Sequence, residues 1–130
     1  MTGPQAVKTG VASHLGRYAD VVVVPAGYQH FYVSGTPGLR ADGTLPEEFA
    51  EEARQAWRNV AAALAAAGAE LTDIVSVRQW LTSTEDVAAY VAVRAEVISH
   101  EPAFMLGIVS GLIWPQIRVE IEVTAVRPAD

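Results

Sequence analysis

The sequence predicts an α+β domain of two layers over residues 1–130, in which two helices cover one face of a single sheet. Apolar residues recur at three- to four-residue spacing in two segments, which is typical of amphipathic helices. Short β-rich segments surround them, in the order β-β-α-β-α-β-β. The last segment alternates strictly between apolar and polar residues, as a half-buried strand does.

The composition indicates one folded domain. Hydrophobic residues make up 51% of the 130 residues and charged residues 18%, which is enough to bury a substantial core. Nine basic and fifteen acidic residues leave a net charge of −6. Because binding to phosphates needs Lys and Arg clustered on one face, we expect no nucleic-acid partner. The chain has no cysteine, which excludes disulfides, thiolate catalysis and Cys-ligated zinc.

The cytoplasm is the location expected from the sequence. The first residues, MTGPQAVKTGVASHLG, contain no charged region followed by an apolar run, so no signal peptide is expected. No segment approaches the roughly 18 continuous apolar residues that suggest a membrane span, so we expect no membrane partner.

Two strands are predicted before the first helix. DVVVVPAG (Asp20–Gly27) is rich in β-branched residues and closes with proline and glycine, which indicates a short strand and a turn. QHFYVSG (Gln29–Gly35) is a second strand that ends at glycine. We expect an irregular or edge-strand segment before them and a loop from Thr36 to Gly43.

The first helix is predicted from Thr44 to Gly68. Thr44, followed three residues later by Glu47, fits a capping box, with Pro46 in the first turn. Gly68 stands where helices commonly end in a left-handed residue. The apolar stripe consists of Phe49, Ala53, Trp57, Val60 and Leu64.

Another strand and another helix are predicted in the second half. DIVSVRQWLT (Asp73–Thr82) indicates a long strand. A second helix is predicted from Ser83 or Thr84, as the N-cap, to about His100, because Pro102 prevents its continuation. Its apolar stripe consists of Val87, Tyr90, Val91 and Val97.

The polar face of the last strand poses a physical problem. A strand entrance is predicted at Phe104–Gly111 and the final strand at Ile117–Val126. Arg118, Glu120 and Glu122 stand in a row on one face of that final strand. If the helices cover the apolar face, the polar face must meet water, a ligand or another subunit.

Several fragments occur in the order and spacing of a known family. They are YVSG (32–35), AAGAELTDIV (66–75), EDVAAY (85–90), the Pro102–Ala103 pair and VEIEVTAV (119–126). Together they make the chain resemble the Rid family, also called YjgF or reactive-intermediate deaminase proteins. The resemblance covers nearly the whole chain from about Gly16 onward.

The resemblance implies a chorismate-mutase-like α+β fold with one mixed sheet, and a homotrimer with its sheets inward and its helices outside. Clefts between neighbouring subunits would then meet the polar strand face. The best-known members hydrolyse enamines and imines, such as 2-aminoacrylate, to ketoacids and ammonia. The family implies no metal and no organic cofactor.

The chain departs from the family deaminases after Pro102–Ala103. Those proteins have Arg-Ser where this chain has Phe104 and Met105, and the family arginine binds the substrate carboxylate through two parallel hydrogen bonds. No other arginine stands nearby in the sequence, because Arg118 is on the last strand and Arg94 is in the second helix. Which residue replaces the family arginine in space stays open. Deamination of 2-aminoacrylate is therefore not the expected reaction.

Glu120 is the main candidate for catalysis. It matches the cleft glutamate that positions a water molecule in the family deaminases, and a partly buried carboxylate can serve as an acid/base group. The alternative is a solvated strand residue, or one paired with Arg118 of another subunit. Tyr18 is the second catalytic candidate, as a hydrogen-bond donor, and its alternative is packing at a sheet edge.

Five other positions are candidates for ligand binding, namely Ser34, Gly35, Phe104, Met105 and Trp114. Ser34 and Gly35 match the Ser-Gly of the family cleft, while Val91 stands where many members have asparagine. Trp114 lies in a loop and could line a pocket or a subunit contact. Trp80 is expected to pack in the sheet.

The sequence provides no pattern for metal or triad chemistry. The three histidines, His14, His30 and His100, are far apart and lack metal-ligand spacing. Ser34 and Ser110 have no nucleophile-elbow context.

These observations lead to two alternatives. The first is a Rid homologue that binds a small, largely apolar metabolite or reactive intermediate in an intersubunit cleft. Phe104 and Met105 would form its apolar wall, and Glu120 would act on an imine, enamine or carbonyl compound. The second is a non-catalytic ligand-binding or chaperone-like trimer. An endoribonuclease is disfavoured by the acidic charge.

Overall fold

A computed structural model describes residues 3–130 of the chain. It contains eight regular elements, apart from three short 3₁₀ turns: β1 (Gln5–Val7), β2 (Val21–Val23), β3 (Tyr28–Pro37), α1 (Phe49–Ala67), β4 (Ile74–Leu81), α2 (Val87–Val97), β5 (Ala103–Ile108) and β6 (Val119–Pro128).

The main sheet has four strands in the order β3-β6-β4-β5. Strand β6 is antiparallel to both of its neighbours, whereas β4 and β5 are parallel and connected through α2. A parallel pair needs such a crossover, because a tight hairpin can join only antiparallel strands. The predicted fold class, a mixed sheet with two helices, is confirmed.

The core lies between the helices and one face of this sheet. All five residues of the predicted α1 stripe are buried, as are Val77 and Leu81 of β4. The predicted alternation in β6 is also confirmed, because Val119, Ile121 and Val123 are buried while the residues between them are only half-buried. Among residues 3–130 no helix covers the other sheet face, which we call the open face.

The start of the first helix differs from the prediction. Helix α1 begins at Phe49, after Glu48, so the capping box at Thr44 is wrong. The Thr44 hydroxyl and amide both donate to the Asp42 carboxylate and hold that stretch in a turn. The predicted end is confirmed, since Gly68 closes α1 with a φ of 94°.

Other element boundaries also differ from the predicted ones. Helix α2 ends at Val97 instead of continuing to about His100, because Ile98 is extended and His100 Nε2 is 2.7 Å from the Ile74 carbonyl oxygen. Val91 is exposed, and Val93 is buried in its place. Strand β6 begins two residues later than predicted, and β1, within the segment expected to be irregular or an edge strand, pairs with β2.

Candidate functional site

Glu120 lies on the open face of the sheet, directly over the backbone of β3. A Cβ atom added to Gly35 would stand 2.2 Å from Glu120 Oε1, so the carboxylate occupies the space that a side chain would need. Strand β3 bulges between Val33 and Thr36, and Gly35 lies in this bulge, next to Ser34. Glu120 and Gly35 therefore meet within one chain, whereas the roles predicted for Glu120, Ser34 and Gly35 stay predictions.

The Glu120 carboxylate has no hydrogen bond or ion pair to any residue between 3 and 130. The two charged residues nearest Glu120 in the sequence already have partners within the chain. Arg118 donates from its backbone amide and its Nε to Glu52 of α1, at 2.8 and 2.7 Å, and Glu122 pairs with Arg78 at 3.1 Å. Because Arg118 is paired within its own chain, it is a poor partner for Glu120 of another subunit.

Apolar groups lie beside this carboxylate. Trp80 of β4 is the cross-strand neighbour of Glu120, and a Cβ atom on Gly107 would be 2.9 Å from its ring and 3.8 Å from Met105 Sδ. These side chains share the open face. Trp80 was expected to be ordinary sheet packing. The alternation along the strand could have revealed that it lies on the open face, because Trp80 is two residues after Arg78 and three after buried Val77.

Phe104 and Met105 point to opposite faces of β5, so they cannot line one wall within a chain. Met105 is on the open face, whereas Phe104 packs on the helix side against the core. Tyr18 meets Phe104 there, edge to face, with ring centroids 5.5 Å apart. The structure therefore separates Tyr18 and Phe104 from Glu120, and the reason is the two-residue period of a strand.

An arginine does lie beside Phe104 in space, although none stands near it in the sequence. The Arg94 guanidinium carbon is 4.1 Å from the centre of the Phe104 ring. Arg94 follows Val87 by seven residues and Tyr90 by four, which places it on the inner face of α2. A charged residue on an apolar stripe was the signal that sequence reasoning missed.

A buried polar network holds Arg94. Its Nη1 donates to Gln79 Oε1 at 2.9 Å, and the Tyr90 hydroxyl donates to the same oxygen at 2.6 Å. Gln79 Nε2 in turn donates to the Met105 carbonyl at 2.8 Å, which links α2 to β5. Burial lowers the pKa of Arg94 and raises the pKa of Tyr90.

Trp114 and His30 belong neither to the surroundings of Glu120 nor to the Arg94 network. Trp114 is exposed in the loop between β5 and β6, so its role as a binding residue remains a prediction. His30 stacks on Tyr32 of the same strand, with ring centroids 6.1 Å apart. Between residues 3 and 130, no helix is long and apolar enough to cross a membrane.

Comparison with known proteins identifies the family. The family described as Endoribonuclease L-PSP matches residues 11–127. The RutC family protein YjgH of Escherichia coli K12 is 38% identical over 72 residues, which are 55% of this chain and 55% of YjgH.

Solved structures agree in fold. The Rid-family protein YyfB from Yersinia pestis is 23% identical and aligns with a TM-score of 0.83 over 96% of this chain and 99% of its own. RidA from the Antarctic bacterium Psychrobacter sp. PAMC 21119 is 30% identical, with a TM-score of 0.72 over 96% of this chain and 94% of its own. The chain therefore belongs to the Endoribonuclease L-PSP family, which includes the Rid and YjgF proteins.

Proposed function

We propose that this chain binds a small, largely apolar metabolite or reactive intermediate in a cleft between the subunits of a homotrimer. Glu120 would perform acid/base or hydrolytic chemistry there on an imine, enamine or carbonyl group. The observation that carries the proposal is the Glu120 carboxylate, which is half-buried, lies over Gly35 and has Trp80 beside it. A carboxylate in such surroundings is available to move a proton.

The geometry of one chain supports a site that is shared with a second subunit. Tyr18 and Phe104 lie on the helix side of β5, whereas Glu120 lies on the open face. A second copy that presented the edge of its β5 to the open face would bring its own Tyr18 and Phe104 towards Glu120. The exposed side chains of Tyr32 and Met105 on that face support such a contact.

The simplest reaction consistent with one free carboxylate is the hydrolysis of an imine. Glu120 takes a proton from water as the water oxygen bonds to the imine carbon, and the proton passes to the nitrogen. The resulting carbinolamine releases the amine and leaves a carbonyl compound. One water molecule is consumed, and no metal or organic cofactor takes part. We expect no fast deamination of 2-aminoacrylate, because Phe104 stands where the family deaminases have the arginine that holds this substrate from the strand after Pro-Ala.

The test is to compare Glu120→Gln with the wild-type protein on a panel of imines and enamines generated in solution. The rate of carbonyl formation above the spontaneous rate is expected to fall by about a hundredfold or more, as it does when a general acid/base is removed. Glu122→Gln, on the same strand and face, is the matched control. Each variant is first checked for the same sedimentation behaviour as the wild type.

Equal rates in wild-type protein and Glu120→Gln on every compound would contradict the proposal. Recovery of an unchanged ligand from the assembly would then favour the alternative, a non-catalytic ligand-binding or chaperone-like trimer.

A further inference from the structure

Arg94 is a buried cation without an acidic partner. Its side chain lies on the inner face of α2, and the residue is only 9% exposed. Within the described part of the chain no carboxylate forms an ion pair with it. The other arginines without an ion pair, Arg40 and Arg58, are exposed to water.

Neutral groups only partly compensate this charge. Gln79 accepts one hydrogen bond from Nη1, and the rings of Phe104 and Tyr90 lie 4.1 and 5.9 Å from the guanidinium carbon. Interactions of a cation with a ring face are modest, whereas an unpaired buried charge is costly. The Nε and Nη2 donors have no partner among residues 3–130.

A cavity of about 200 Å³ opens beside this guanidinium. Gly16, Val91 and Phe104 contribute to its walls, together with Arg17 and His100, and no acidic side chain lines it. A Cβ atom on Gly16 would be 3.9 Å from Arg94 Nη2, so the chain before β2 passes directly over the charge. Glu101, which follows His100, is paired with Lys8 and Arg17.

We propose that this cavity binds the carboxylate of a small organic monoanion, with Arg94 as the binding residue. A planar guanidinium with two free donors matches a carboxylate in shape. One buried charge suits a monoanion better than a phosphate dianion. The apolar surfaces of Phe104 and Val91 would contact the body of the ligand.

The Arg94 site would be part of the reactive cleft of the proposed function, and it rests on that proposal because Tyr18 and Phe104 are taken to belong to that cleft. The anchoring charge would come from a helix, whereas the family deaminases provide it from the strand after Pro-Ala. The ligand would therefore be a carboxylate held from the side of α2, with its apolar part lying across Phe104.

The experiment is a titration of the full-length protein with propionate, followed by calorimetry and by the side-chain Nε–H signals of ¹⁵N-labelled arginine. We expect the Arg94 signal to shift and propionate to bind about ten- to a hundredfold more tightly than its neutral isostere propionamide. Arg94→Gln is expected to weaken propionate by a similar factor. Arg58→Gln, at an exposed arginine, is the matched control and is expected to bind as the wild type does.

Because the wild-type comparison of propionate with propionamide needs no variant, a folding defect in Arg94→Gln cannot hide the answer. Equal binding of the two compounds, no binding of propionate, or an unmoved Arg94 signal would each overturn the inference. The Glu120→Gln variant distinguishes the Arg94 anion site from the reaction proposed for Glu120. If propionate binding survives in that variant and no imine is hydrolysed by the wild type, the anion site stands and the proposed reaction fails.

Discussion

Gly35 determines the surroundings of the candidate catalytic carboxylate. Its lack of a side chain lets Glu120 lie against the β3 backbone, and the bulge after Val33 brings that backbone close. Glycine in a strand interior often marks such an approach. The same residue therefore fixes where the carboxylate can stand and what can pack beside it.

Gly35→Ala is expected to displace the Glu120 carboxylate, because the new Cβ atom would stand 2.2 Å from Oε1. Imine hydrolysis, measured as kcat/KM, should fall by about ten- to a hundredfold, since a shift of about 1 Å in a reacting group has effects of that size. The melting temperature should change little, because the displaced atom ends a flexible side chain.

The matched control for this variant is Gly111→Ala, where no atom lies within 4 Å of the added Cβ. It should retain wild-type kcat/KM. Full activity in Gly35→Ala would show that the position of Glu120 does not matter to the reaction.

At the scale of elements, one ion pair joins α1 to the start of β6. Glu52 is fully buried, and it accepts hydrogen bonds from the amide and the Nε of Arg118, which lies 66 residues further along the chain. The Arg118 guanidinium also reaches the Pro46 and Glu47 carbonyls. This contact holds the start of β6, and thus Glu120, against the helix layer.

Glu52→Ala should lower the free energy of unfolding by about 2–4 kcal/mol, because it leaves a partly buried guanidinium and a backbone amide unpaired. The Arg118 side chain is 34% exposed, which favours the lower end of that range. The adjacent Glu51→Ala removes an exposed ion pair with Arg54 and should cost less than about 1 kcal/mol. Denaturant unfolding of both variants measures the difference, and equal losses would contradict a structural role for Glu52.

A second element-scale contact holds the segment that passes over the Arg94 cavity. The Asp20 carboxylate accepts hydrogen bonds from the amides of Thr9 and Ala12, at 2.7 and 2.9 Å. The Thr9 amide and then the Ala12 amide hold the pKa of Asp20 below its ordinary value of 3.8. Because the pKa of Asp20 is lowered in the folded state, the ionised carboxylate stabilises the fold fully above pH 3.8. This stabilisation is lost as the pH falls through the lowered pKa.

The amides of Thr9 and Ala12 should therefore exchange faster with solvent as the pH falls below about 3.8, after correction for intrinsic exchange. Asp20→Ala should show the faster exchange at neutral pH as well. Amide NMR measures both, with the amides of β4 as an internal reference. Protection of Thr9 and Ala12 that does not respond to pH or to Asp20→Ala would show that other contacts hold this segment.

At the scale of the whole molecule, the open sheet face exposes aromatic and apolar side chains that a partner surface could cover. Tyr32 is 78% exposed on this face, opposite Thr124 of β6, and Met105 is exposed on β5. Exposed aromatic and apolar groups beside half-buried charges are typical of an interface. The proposed homotrimer would cover them.

Tyr32→Glu should shift the sedimenting species from three copies towards one, because a charge would be buried at the contact. Ala62→Glu, on the exposed side of α1, should leave the assembly intact. Analytical ultracentrifugation over a range of concentrations distinguishes the two. A wild-type monomer at every concentration would remove the cleft on which the proposed function depends.

The sequence by itself determined which residues of α1 and β6 face the core, because helical and strand periods are local properties of the chain. The stripe of α1, the alternation in β6 and the end of α1 at Gly68 were all readable in this way. The order of the motifs also identified the family, which comparison confirmed over residues 11–127. The capping box at Thr44 failed because a short-range turn with Asp42 competed for the same hydroxyl.

Only the tertiary structure decided which distant side chains meet. Arg94 reaches Phe104 because α2 crosses back over β5, and Glu120 meets Gly35 because β3 pairs with β6 across most of the chain. Such contacts depend on strand order and on a bulge, which no local pattern encodes. Phe104, which follows Pro102–Ala103, therefore has an arginine beside it in space, and that arginine comes from α2 and not from β5.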